Sequence, residues 1–368
     1  MIPTFHSRSK ASVRRVSLHY GPVGRLPGGI AQVVNVYASA GIPGWDVRMV
    51  CTVSAPGDPW SPLRATLGFG KLIRWRFSRK SVLVVVHLSQ RGSFVREGAI
   101  LLLARLLRLR RAAFIHGSSF VAFAADHPTL CRAVLRSAND IFVLTQQTSA
   151  AVQALRPEMA PTLLRNLVQV PTTVSHQSDR DQEVLFAGEV SARKGADTLL
   201  EAWESIDTRG WRLSVAGPVS DPRFRTVRQG IDILGPLSHE DIVAKQAKVA
   251  IAILPSRAEA LPMFLIESLA AGCAVIGSDV GQIPSLLEQG AAGVVVDPDS
   301  PENVAEALTS LMASLERRIE LATQGRRVAD AYSIATSSAE IAEHWDRVFN
   351  PDTLPPAHEV GQCKRTSI

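Results

Sequence analysis

Glu259 and Glu267 enclose seven residues, Ala260-Leu261-Pro262-Met263-Phe264-Leu265-Ile266. An apolar run at 249–254 leads into them and predicts a strand, and the residues that follow predict a helix ending at Gly272. Pro262 or Met263 starts that helix. Proline suits a first helical position, where its missing N–H would have no partner, and glycine suits the exit. The first carboxylate then lies on a strand-to-helix loop, and the second about one turn into the helix. Unpaired backbone N–H groups between them attract phosphate, and the flanking carboxylates can accept hydrogen bonds from hydroxyls. The spacing suits a ligand that joins phosphate to sugar, although acidic residues in a first turn also simply complement the helix dipole.

A second loop carries the opposite charge. Leu185-Phe186-Ala187-Gly188-Glu189-Val190-Ser191-Ala192-Arg193-Lys194-Gly195 predicts a strand handing over to a helix, with Lys194 at the junction. Fixed positive charge there would stabilise a departing phosphate; a solvated turn is the bland alternative. Gly21-Pro22-Val23-Gly24-Arg25-Leu26-Pro27-Gly28-Gly29-Ile30 follows the first apolar run and opens a helix. Its glycines permit close backbone approach to a diphosphate, but it is no dinucleotide fingerprint, and a plain connecting loop fits equally. His87 and His116 end two further apolar runs, where a side chain faces the cleft above a parallel sheet. Asp297-Pro298-Asp299 has the spacing of a metal-binding pair but precedes Ser300-Pro301-Glu302, a helix-cap pattern, and is read as an acidic turn.

The segment 253–296 contains Glu-Ser-Leu-Ala-Ala-Gly-Cys-Ala-Val-Ile-Gly-Ser-Asp-Val-Gly-Gln-Ile-Pro, beginning at Glu267. It resembles the donor-binding signature of glycosyltransferase family 4, retaining enzymes of the GT-B fold. Val86-His87-Leu88-Ser89, Gly92-Ser93-Phe94-Val95-Arg96 and Phe114-Ile115-His116-Gly117 resemble the family's exopolysaccharide-type members. The resemblance implies a cleft that holds a nucleotide-sugar on the C-terminal side and an acceptor on the N-terminal side. Glu259 would contact the donor sugar, Glu267 the ribose and Lys194 the diphosphate. Gly28, Gly29, Gly188, Arg193, Ala260, Leu261 and Pro262 would complete the donor site. His116 would line the acceptor side near the anomeric carbon, with His87, Ser93 and Arg96 beside it. It implies no metal and no cofactor beyond the nucleotide-sugar, of UDP or GDP type. Two departures stand out: Glu189 occupies the family's arginine position, which Arg193 or Arg257 could replace, and Ala260 stands where many relatives have glycine.

These loops need elements to hold them. Strands are predicted at 16–20, 46–53, 81–88, 112–116 and 141–145, then at 183–187, 212–216, 249–254, 274–277 and 293–296. Continuous apolar runs such as 82–86 predict strands buried on both faces of a parallel sheet, and alternation with helices predicts βαβ units. The fold class is therefore α/β, with two Rossmann-like doubly wound domains facing a cleft. The predicted boundaries are 1–172 for the acceptor domain, 183–335 for the donor domain, a returning helix at 336–350 and a flexible tail at 351–368. The aperiodic polar stretch 171–181 is the predicted linker.

Charge divides the chain more sharply than composition does. Residues 1–166 hold 22 Lys+Arg against 6 Asp+Glu (+16), whereas the remainder holds 18 against 28 (−10). A basic first half implies an anionic partner. The stretch 63–80 interleaves Leu67, Phe69, Leu72, Ile73, Trp75 and Phe77 with Arg64, Lys71, Arg74, Arg76, Arg79 and Lys80. With the arginines of 105–111 it suits an anionic membrane surface and equally a core helix with a solvated edge. Nucleic acid is a poorer fit because no binding motif accompanies the charge. Four cysteines without metal-type spacing and no apolar leader point to a cytoplasmic protein, peripheral to the inner membrane face if that surface binds lipid. The expected activity is metal-independent sugar transfer to a polysaccharide or lipid-linked acceptor. A nucleotide-sugar epimerase and a catalytically silent sugar-nucleotide-binding subunit are the alternatives.

Overall fold

The computed structural model describes residues 15–22, 29–53, 61–78, 81–117, 119–225 and 229–350. The first half contains β1 (Arg15–Pro22), α1 (Gly29–Ser39), β2 (Trp45–Val53), α2 (Ser61–Arg76), β3 (Val82–Leu88), α3 (Gly92–Leu106) and β4 (Arg110–Ile115). It continues with α4 (Phe120–Asp126), α5 (Pro128–Leu135), β5 (Asp140–Val143), α6 (Gln146–Leu155) and β6 (Thr162–Leu163). The second half contains β7 (Asp181–Ala187), α7 (Ala196–Ser205), β8 (Arg212–Ala216), β9 (Ile231–Gly235), α8 (His239–Gln246) and β10 (Val249–Leu254). It closes with α9 (Met263–Ala270), β11 (Ala274–Ser278), α10 (Ile283–Leu286), β12 (Val294–Val296), α11 (Pro301–Ala313), α12 (Leu315–Asp330) and α13 (Ile334–Phe349).

The strands form two six-stranded sheets, ordered β2-β1-β3-β4-β5-β6 and β12-β11-β10-β7-β8-β9, and every described ladder is parallel. The continuous apolar runs explain this. Every residue of β3 and of β10 is buried, as strands covered by helices on both faces must be. Strand order reverses between β1 and β3 in the first sheet and between β7 and β10 in the second. Ligands bind in the crevice at such switch points, outside the carboxyl ends of the strands.

Two strands escaped the sequence reading, β6 and β9. Both lie at sheet edges: β6 has two residues and β9 is mostly half-buried, so neither shows a periodic apolar signal. The predicted linker also differs from expectation. Gln177 is buried and donates to the carbonyls of Ala250 and Gly272. Arg180 donates to the carbonyls of Gln246 (3.0 Å), Val249 (2.8 Å) and Ala271. Its polar residues thus anchor the end of the stretch to the second sheet and its helices.

After α12 the chain returns to the first sheet. Val168 pairs with Ser333 in an isolated parallel bridge, so the two crossings lie side by side. Ser333 caps α13 by accepting from Thr336 N. Trp345 of α13 is buried against His19, Tyr37 and Trp45, and Trp45 Nε1 donates to Asp346 Oδ1 at 2.9 Å. Burying an aromatic of this size contributes about 1.5–3 kcal/mol or more to the joint.

Candidate functional site

The second switch point is flanked by the loops that end β7 and β10. Two glycines pack against the β10 loop, Gly195 from the loop after β7 and Gly281 from the loop after β11. Gly195 has φ +73°, and a Cβ on it would stand 1.9 Å from the Pro255 carbonyl oxygen. Gly281 has φ +58°, and its Cβ would stand 2.2 Å from the Glu259 carbonyl oxygen. Only glycine permits both the left-handed backbone and the approach. Backbone bonds add to this grip: Arg257 N donates to Arg193 O, and Gln282 N to Ala260 O, both at 2.9 Å.

The grip brings together Lys194 and Glu259, 65 residues apart, whose side chains form an ion pair at Glu259 Oε1. Ser256 Oγ donates to the same oxygen at 3.0 Å. Both side chains are largely buried but retain an opening, 17% exposed for Lys194 and 10% for Glu259. An ammonium has three donors, so Lys194 can hold Glu259 and still reach a phosphate. Ala260 has no positive φ, so its Cβ is accommodated without backbone strain. The Leu261 carbonyl accepts from Asn166 Nδ2 at 3.2 Å, which ties the loop to the segment following β6.

Pro262 is the N-cap of α9 and Gly272 (φ +79°) follows its end. Glu267 projects from the second turn and lies 3.7 Å from His239 Nε2, at the start of α8. His239 Nδ1 meets Gln32 Nε2 of α1 at 3.1 Å, a contact from the first sheet's helices to the second's. Burial pushes the Glu267 carboxyl up to about 8. Its folded value lies above the ordinary 4.5, so between these values the folded chain holds a proton that the unfolded chain has released. Stability therefore falls as pH rises through that window. Glu267→Gln is expected to abolish this decline and to gain on the wild type by up to about 1.4 kcal/mol per pH unit. Urea unfolding at pH 5 and pH 8 checks it; equal differences at both would sink the assignment.

Several expected residues are placed differently. Arg257, one candidate to replace the missing arginine, is engaged by Asp197 (2.7 Å), Asp299 (2.7 Å), Thr198 (3.1 Å) and the Ala192 carbonyl. It clamps the loop and is not held out to a phosphate. Arg193 pairs with Glu189 at 3.2 Å, both about half exposed, so the guanidinium stands beside the position where the family has its arginine. Asp299 serves Arg257, and Asp297 Oδ1 accepts from Asp299 N at 2.9 Å. Gly29 opens α1, whereas Gly28 lies outside the described residues, as do Arg79, Lys80 and the tail 351–368.

On the first sheet, His116 follows β4 and retains slight exposure, but His87 is fully buried. Both ring nitrogens of His87 are taken, by His19 and His116, so the expected direct contact of His87 with a ligand is corrected. Ser93 Oγ (3.0 Å), Arg96 Nε (2.8 Å) and Thr52 Oγ1 (2.6 Å) all donate to Glu97, a fully buried carboxylate in α3. Burial raises the Glu97 pKa, and these donors oppose the rise. Sequence reasoning missed Glu97 and His19. Glu97 is the only acidic residue between Asp58 and Asp126, and His19 sits inside an apolar strand; those were the available signals.

Residues 181–314 match the family model described as glycosyl transferases group 1. The chain is 26% identical over 246 residues to an exopolysaccharide phosphotransferase of Streptomyces coelicolor, covering 64% of this chain and 25% of that protein. It is 27% identical over 169 residues to the alpha-D-kanosaminyltransferase of Streptomyces kanamyceticus, covering 43% of this chain and 44% of the other. The aligned stretches thus span a quarter to under half of these relatives. Among solved structures, Anabaena HepE, crystallised with UDP and glucose, superposes with a TM-score of 0.71 at 14% identity over 90% of this chain and 99% of that one. At that identity the likeness concerns the fold, which is that of the GT-B glycosyltransferases.

Proposed function

We propose that the chain moves a sugar from a nucleotide-sugar to a saccharide acceptor, a reading supported by the match of residues 181–314 to the group 1 glycosyl transferase family model. The observation that carries the reading is the Lys194–Glu259 pair at the switch point of the second sheet. Lys194, helped by the N-terminus of α9, stabilises the departing diphosphate. Glu259 accepts from donor-sugar hydroxyls, and Glu267 from the ribose. His116 lines the acceptor side, across the cleft.

The bond from the anomeric carbon to the diphosphate oxygen breaks as the bond to the acceptor oxygen forms. The acceptor's proton passes to the departing diphosphate, on the face that the leaving group vacates, so configuration is retained. Charge on the diphosphate is met by Lys194 and backbone N–H groups, and this route needs no metal. The donor is taken to be a nucleotide-sugar of UDP or GDP type. The acceptor is taken to be a polysaccharide or lipid-linked saccharide.

An anionic membrane surface fits the first half. The end of α2 is tied to the end of α3 by Arg76 Nε donating to the Leu107 carbonyl at 2.9 Å. Around that joint Leu67, Ile73, Phe77, Leu102 and Leu106 are exposed, Phe77 at 79% and Leu106 at 77%. Lys71, Arg74 and Arg105 are exposed beside them. Among the described residues no helix is long and apolar enough to cross a membrane, so contact there would be interfacial.

The test is release of nucleoside diphosphate from UDP- and GDP-sugars, with and without saccharide acceptors, repeated with vesicles containing anionic or only zwitterionic lipid. Acceptor-dependent release is expected, together with co-sedimentation on anionic vesicles alone. Release, without acceptor, of a free sugar epimeric to the donor's would replace the reading by epimerisation. Nucleotide binding without turnover would leave a silent binding subunit.

A further inference from the structure

Three histidines from three neighbouring strands form one hydrogen-bonded row beneath the first sheet's switch point. His19 Nδ1 of β1 meets His87 Nε2 of β3 at 2.9 Å, and His87 Nδ1 meets His116 Nε2, just beyond β4, at 2.8 Å. The row is packed on all sides. Trp345 of the returning helix lies 5.0 Å from the His19 ring, and Phe114 lies 4.1 Å from His116. Gly21 comes so close that a Cβ on it would stand 3.1 Å from His87 Cβ.

The inner end of the row decides its polarity. His19 Nε2 is buried and has no hydrogen-bond partner among the described residues. A neutral imidazole carries one N–H, so the row can run in only two directions. One direction leaves a buried, unpaired N–H on His19; the other leaves only a lone pair there. Orphaned buried N–H groups are the rarer of the two. His19 Nδ1–H then donates to His87, His87 Nδ1–H donates to His116 Nε2, and His116 must carry its proton on Nδ1.

We propose that His19 and His87 are positioning residues that lock His116 as a neutral, Nδ1-protonated imidazole, so that it donates a hydrogen bond to a sugar or acceptor oxygen and takes no proton from it. The lock rests on the transferase reading for its purpose, but its protonation state can be measured without turnover. Tyr37 from α1 stacks on His19; farther out on α13, Glu340 acts on Tyr37 and His344 lies against Phe142, which packs on Phe114. Burial holds His87 at about 3, and burial with the neighbouring rings lowers His19 and His116.

Histidine 15N NMR on the full chain, assigned with single His→Gln variants, is the first test. All three residues are expected as Nδ1–H tautomers that stay neutral well below the usual value near 6.5. An Nε2-protonated or titrating His116 would overturn the proposal whatever the enzyme does. The second test compares H87L with H87Q, because glutamine supplies both an acceptor and a donor and can transmit the same polarity. H87L is expected to lower kcat about 10-fold, with KM for the nucleotide-sugar unchanged, and to add an acid limb to the pH profile. H87Q should recover most of that loss and show no new limb. Equal losses in both variants with unaltered pH profiles would mean that the row only fills space.

Discussion

Lys194→Ala is expected to lower kcat/KM for sugar transfer by about 10²- to 10³-fold, the usual consequence of removing one donor from a developing oxyanion. The loss should fall chiefly on kcat, since the charge on the diphosphate grows as the glycosidic bond breaks. The structure adds a stability consequence. Removing the ammonium leaves Glu259 largely buried with Ser256 as its remaining described partner, which costs about 1–3 kcal/mol. Lys194→Ala combined with Glu259→Gln should recover much of the stability and none of the activity. Steady-state kinetics and chemical unfolding on the same samples check both parts. A loss of kcat/KM below about 3-fold would remove Lys194 from the chemistry.

Gly195→Ala is expected to damage the site through the backbone alone. The residue has φ +73° and a carbonyl where the new Cβ would lie, 1.9 Å away. The left-handed backbone costs about 1–2 kcal/mol in a non-glycine residue. The clash is with a backbone oxygen and not with the end of a flexible side chain, so the β7 and β10 loops must part by about 1 Å. Misplacement on that scale costs about 10²-fold in rate, and the sum in stability should reach about 2–4 kcal/mol. Gly210→Ala is the control: φ is +86°, yet nothing lies within 4 Å of the added Cβ. It should lose only the backbone part and keep its activity. Equal effects of the two substitutions would show that the packing of Pro255 on Gly195 does not set the site's geometry.

These two expectations share a cause. The chemistry-bearing side chains come from loops 65 residues apart, and close backbone contacts set the distance between them. Arg257 belongs to that scaffold: its guanidinium joins the β10 loop to Asp197 and Thr198 of α7 and to Asp299. That is why it is not held out to a phosphate. Glu189 and Arg193 show a related exchange of charge, since the carboxylate sits where the family has its arginine and an arginine four residues later returns beside it.

Much of this was legible in the sequence. The apolar runs at 82–86 and 249–254 specified buried parallel strands, because continuous hydrophobicity over a short span has few other uses. The Pro262 and Gly272 signals bracketed α9, and the two carboxylate-bearing positions followed from the spacing. Periodicity, capping and turn chemistry are local properties, readable within a dozen residues. What only the tertiary structure decided is partnership over long separations. It joined His19 to His87 and His116 across three strands, gathered Thr52, Ser93 and Arg96 around Glu97, and pinned Gln177 and Arg180 to the second sheet and its helices. It also formed β6 and β9, edge strands whose pairing comes from neighbours and not from their own composition. A buried polar group is satisfied by whichever partner the fold brings to it, and which one arrives depends on how the elements pack, not on any spacing within one of them.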